Sequence, residues 1–95
     1  MGCFMADRIT DKNLQAMCDR INRLMGTPMN AYIDGNAQIG NYHLSHAYGG
    51  VTLHRMDNES GGVSEPFMTG YVPKRELYNQ LYAFIAGINA GRDES

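Results

Sequence analysis

The chain has 95 residues, 43% of them hydrophobic, with Lys+Arg 8 against Asp+Glu 10 and a formal net charge of -2. A slightly acidic chain excludes a nonspecific grip on the nucleic-acid backbone, which needs a basic excess. No apolar run approaches the roughly 18 residues that span a bilayer, and the apolar content is too high for a disordered tail, so one compact, soluble domain with a modest core is expected.

The start, Met1-Gly2-Cys3-Phe4-Met5, lacks the basic region and long apolar stretch of a signal peptide. Gly2 and Cys3 hint at an acylation signal, but Ala6 stands where that motif wants Ser or Thr. Cys3 and Cys18 are too few for a disulfide framework; both are expected as free thiols in a reducing cytoplasm. Residues 1–9 read as a loose extension, 10–92 as a single α+β domain and 93–95 as a polar tail.

Thr10 is placed to cap a helix over 11–25, with Asp11 favourable at its positive end. Leu14, Met17, Cys18, Ile21, Leu24 and Met25 recur at spacings of three and four, and Gly26 is a natural stop. Residues 27–37 are turn-rich, with Asp34-Gly35 a strong turn dipeptide and Ala31-Tyr32-Ile33 a short strand candidate against Gln38-Ile39. Gln38 to Ala47 and Val51 to Asp57 read as two strands joined at Tyr48-Gly49-Gly50. A two- or four-residue loop places Tyr42, Leu44, His46, Val51, Leu53 and Arg55 on a mainly apolar face. Asn41, His43, Ser45, Thr52, His54 and Met56 then share a mainly polar one. Val63 to Tyr71 reads as a third, edge strand broken by Pro66. A last helix opens at Pro73, carries Leu77, Leu81, Phe84, Ile85 and Ile88 as its core stripe, and ends at Gly91. Tyr78 and Tyr82, four apart, form a flanking ridge and a candidate subunit interface. The fold class is therefore α+β, two helices packed on a small antiparallel sheet of two or three strands, in the order α-β-β-(β)-α. Such a domain buries little area, so a homo-oligomer is expected.

All three histidines fall between Gly40 and Arg55. His43 and His54 on one face begin a metal site, but zinc wants three or four ligands, and Asp57 and Glu59 lie at no recognisable spacing; no metal or cofactor is expected. Ser45 beside His43 or His54 lacks a nucleophile elbow and an orienting acid. Two histidines could serve as acid and base on a phosphodiester, so a small hydrolase is the third choice. Tyr42 and Tyr48 offer stacking faces, Arg55 a planar cation, and Gly49 and Gly50 exposed backbone N–H groups. With His43 and His54 these make a candidate site for an anionic, nucleotide-like ligand, or equally a protein hot spot. Ordinary strand patterning explains the same residues without any ligand. Asp57 to Gly62 lacks the spacing of a calcium loop and reads as a solvated turn.

The stretches Ile39 to Ser45, Ala47-Tyr48-Gly49-Gly50, Leu53-His54-Arg55-Met56, Gly61-Gly62-Val63 and Val72 to Tyr78 resemble a group of small uncharacterised proteins encoded by bacteriophages and prophages. The resemblance spans about Ile9 to Gly91 and carries no functional residues. It implies a setting, the bacterial cytoplasm, where small phage proteins act by binding. The expectation is a non-catalytic sponge that sequesters a nucleotide-type signal and so counters host immunity. A protein-binding inhibitor of a host defence or replication enzyme is the alternative.

Overall fold

The computed structural model describes residues 8–93. Helix α1 spans Asp11–Met25. Its first turn closes with a reciprocal cap: Asn13 N–H donates to Thr10 Oγ1 at 3.1 Å and Thr10 N–H to Asn13 Oδ1 at 2.9 Å. Gly26, at φ 70, ends it in the left-handed region, as expected. Leu14, Cys18 and Ile21 are fully buried.

Strands β1 (Tyr32–Ile33) and β2 (Asn36–Ala37) form a small hairpin around Asp34-Gly35, both at positive φ. That two-residue turn sets Ile33 opposite Asn36 and Tyr32 opposite Ala37. The expected pairing with Gln38-Ile39 is thus corrected: the Gln38 N–H reaches Ala31 O at 2.8 Å, and Ile39 lies beyond the ladder.

The main sheet is antiparallel, in the order β3 (Tyr42–Ala47), β4 (Gly50–Met56) and β5 (Val63–Ser64). Tyr48 and Gly49, at φ 54 and 75, make the turn, and the register pairs His43 with His54, Leu44 with Leu53 and Ser45 with Thr52. The face predicted apolar does enter the core: Tyr42, Val51 and Leu53 pack there with Leu14, Cys18 and Ile21.

The other face is only partly covered, with His43, Ser45 and His54 half-buried. Thr52 is fully buried and Met56 is 1% exposed. The expected third strand pairs with β4 only at Val63–Ser64 and returns only at Val72, bridged to Val51. Between them the chain runs as a strap, broken as expected at Pro66, and Tyr71 sits on the hairpin.

Helix α2 runs Lys74–Asp93, through Gly91, so the predicted stop at that glycine is corrected; a glycine lowers helix stability without ending it. Leu77, Leu81 and Ile85 are buried, while Phe84 and Ile88 are half-buried. Helix α1 packs on α2 and β3, and α2 packs on β4. The fold is α+β, in the order α-β-β-β-β-β-α. No helix among the described residues is long and apolar enough to cross a membrane.

Burial, with a smaller contribution from Asp19, pushes the Cys18 thiol up to about 12. Thiolate is the reactive form, so Cys18 should resist alkylation in the native protein and react only on denaturation. Mass spectrometry after an iodoacetamide pulse checks this; native labelling of Cys18 contradicts the packing described. Cys3 lies outside the described residues.

Candidate functional site

The predicted ligand-site residues, Tyr42 aside, fall into three separate places. The first is the outer face of the β3–β4 hairpin, away from the helices. His43 and His54, cross-strand partners, stand ring to ring with centroids 5.8 Å apart at 90°. Tyr71 lies edge-on to His54 at 6.3 Å and to Tyr48 at 5.6 Å. Four rings thus run contiguously as Tyr48, Tyr71, His54 and His43. The Tyr71 hydroxyl is 2.9 Å from Ser45 Oγ, which fixes the tyrosine on the sheet. Thr52 belongs to the same face, and its Oγ1 is buried without a partner.

The tautomer of His43 follows from its neighbours. Asn41 Nδ2 donates to Pro28 O at 2.8 Å, so Asn41 Oδ1 faces His43 Nδ1 at 3.0 Å as an acceptor. Nδ1 therefore carries the proton and Nε2 the lone pair. Burial, then the charge of His54, lower the His43 pKa. The folded protein thus resists protonation more than the unfolded chain does. Stability should fall as pH drops through the usual histidine range and flatten below the lowered value. Thermal melts between about pH 7.5 and 5 check the sign, and His43→Gln should reduce the slope.

Tyr48 is 94% exposed at the hairpin tip, although φ 54 is unfavourable for a bulky side chain. Tyr42 is corrected: at 7% exposure it lies in the core, edge-on to Phe84 at 6.0 Å, with no face to offer a ligand.

The second place is the opposite end of the hairpin. Arg55 pairs across the sheet with Tyr42, five residues along β4 from Gly50, or about 17 Å at strand rise. The expected convergence of Arg55, His54 and the Gly49-Gly50 backbone on one rim is therefore corrected. Arg55 Nη1 instead meets Asp57 Oδ1 at 3.1 Å, where Ser64 Oγ also donates. Both ionic side chains are more than one-third exposed, so the pair is weak. Arg55→Ala should cost less than about 1 kcal/mol and leave ligand binding unchanged, read by melting and titration on one variant.

The third place is a cleft on the helix side of the tip, of about 360 Å³, lined by Asp11, His46, Gly49, Gly50 and Lys74 among others. Asp11 Oδ1 meets His46 Nε2 at 3.1 Å and Lys74 Nζ at 3.4 Å. Those hydrogen bonds and charges, His46 first, hold the Asp11 carboxyl below its usual range.

Asp11, His46 and Tyr71 were not among the predicted site residues. Only their distant partners reveal them, 26 positions away for Tyr71 and 35 for the Asp11–His46 pair. Tyr78, half-buried, and Tyr82, 64% exposed, line a groove of about 290 Å³ between the helices with Met17 and Arg20. Among the described residues no cluster of three or more His, Cys, Asp or Glu is arranged to hold a metal ion. No known protein family, curated protein or solved structure matches the chain.

Proposed function

We propose that this chain is a non-catalytic binding protein whose working surface is the outer face of the hairpin tip, taking a planar, anionic ligand of the nucleotide type. The observation that carries this is Tyr48: the most exposed large apolar side chain of the described residues stands at φ 54, where Asn, Asp or Gly would be at ease. A left-handed backbone costs an ordinary L-residue roughly 1–2 kcal/mol, and a side chain exposed to water returns little of it. A fold that tolerates this cost displays the ring for something outside itself. Tyr71 backs it at 5.6 Å, so a base laid on Tyr48 meets a supported platform rather than a free rotor. In the bacteriophage setting that the resemblance implies, such binding would sequester a nucleotide signal of the host and so counter its immunity.

The test is calorimetric titration with mono-, di- and cyclic nucleotides, comparing wild type with Tyr48→Asn. Losing one stacked base weakens affinity by about 1–3 kcal/mol, roughly tenfold or more. The same change should leave stability within about 1 kcal/mol of wild type, because relief of backbone strain offsets the lost ring contact. Equal binding by both proteins, or no binding by either, overturns the proposal.

A protein partner is the second reading, favoured by Met68, which is 85% exposed at φ 57 on the strap. Met68→Ser should leave nucleotide binding intact but weaken a protein contact.

A further inference from the structure

We propose that the facing His43 and His54 imidazoles are the anion subsite of this surface, receiving the phosphate of a ligand whose planar group lies on Tyr48; the inference rests on the binding reading above. The two rings are 5.8 Å apart and half-buried. Among the described residues, the histidine–carboxylate ion pair is made by His46, on the other face of the hairpin. The carboxylates of the neighbouring segments are turned elsewhere: Asp57 to Arg55 and Ser64, Glu65 to the Gly70 N–H at 2.6 Å. On the hairpin itself the charged neighbour of His43 is His54. Two imidazoles placed together without an acid repel one another when protonated. An anion held between them reverses that sign, since each added proton then gains a partner.

The tautomer helps. Asn41 holds the His43 Nδ1 proton, leaving Nε2 to take up a second proton and donate it to the ligand. The buried Thr52 Oγ1 on the same face lacks a partner, and Ser45 Oγ is tied to Tyr71. Thr52, fully buried, is out of a ligand's reach, and the half-buried Ser45 is the hydroxyl residue beside the ring pair. Arg55, next to His54 in the chain, belongs by alternation to the other face and is paired with Asp57, so the subsite does not use it. A phosphate here sits along the same row of side chains as Tyr48, with Tyr71 between.

Binding should then be linked to proton uptake. Titrating nucleoside 5′-monophosphates and the matching nucleosides tests this, with the histidine C2–H resonances followed by NMR from about pH 7.5 to 6. The monophosphate should move the C2–H resonances of His43 and His54 and bind up to about tenfold tighter per unit fall in pH for each proton taken up. The nucleoside should bind weakly and without pH dependence. His43→Gln and His54→Gln should each flatten the dependence, and the wild-type resonances report the link even where a variant folds poorly. Equal, pH-independent binding of nucleotide and nucleoside overturns the subsite while leaving the tyrosine platform standing. Inorganic phosphate that moves both histidines, with no nucleoside binding, supports the subsite and removes the platform. If neither phosphate nor monophosphate moves the histidines, the subsite is refuted.

Discussion

Replacing Asn22 by alanine is expected to lower folding stability by about 3–5 kcal/mol, a large share of the roughly 5–15 kcal/mol available to a small domain. Asn22 is 1% exposed on the buried face of α1, beside Cys18 and Ile21. Its amide does for the edge strand β3 what a further strand would do. Nδ2 donates to Tyr42 O at 2.9 Å, and Oδ1 accepts from the Tyr42 N–H at 2.8 Å. Oδ1 also accepts the Thr27 hydroxyl at 2.8 Å, which ties the chain leaving α1 to the same point. Alanine removes these bonds and leaves a buried N–H and most of a buried C=O without partners; the Cys18 thiol, 3.0 Å from the same carbonyl, is a weak donor. Denaturant unfolding measures the loss. A cost below about 1 kcal/mol would mean that the helix docks on the sheet by apolar contact alone.

Gly50→Ala is expected to cost about 1–3 kcal/mol by overpacking, and to weaken ligand binding although Gly50 need touch no ligand. A Cβ at Gly50 would stand 3.0 Å from Val72 O and 3.1 Å from Val72 N and Tyr71 C, against backbone that cannot swing aside. Val51 and Val72 exchange hydrogen bonds of 2.9 and 3.0 Å there, so the added carbon pushes the strap off β4. Tyr71 moves with it, and Tyr48 loses its backing ring. Gly49→Ala separates the effects. Nothing lies within 4 Å of its Cβ, and only φ 75 opposes the change, so it should cost about 1–2 kcal/mol and leave Tyr71 seated. Unfolding and titration on both variants check the contrast; equal effects on binding would contradict it.

Local signals carried most of the fold. Thr10, Asn13 and Gly26 bracket α1 with chemistry that acts within three or four residues. The hairpin register followed from alternation plus a glycine turn. The same alternation put Tyr42 on the apolar face, and it belongs to the core; reading it also as a ligand contact set composition above periodicity. The β1–β2 register went astray because so short a ladder has little alternation to fix it, and Asp34-Gly35 alone decides it. The sequence pattern places Tyr71 only at the end of an edge strand. Its role comes from Ser45 and His54, and no local pattern encodes a contact across so long a loop. Asn22 left a visible trace: a polar residue on an apolar stripe marks either an error in the stripe or a buried hydrogen bond. The separation of Arg55 from the tip is arithmetic on strand length and was legible once the register was known.

The most direct measurement is chemical-shift mapping on protein labelled at tyrosine, histidine and arginine side chains while a nucleoside monophosphate is added. Perturbations at Tyr48, Tyr71, His43 and His54, with Tyr78, Tyr82 and Arg55 unmoved, are the expected result. Shifts confined to Tyr78 and Tyr82 in the interhelical groove, or to Arg55 beside Asp57, would place the ligand elsewhere and contradict the assignment of the hairpin tip.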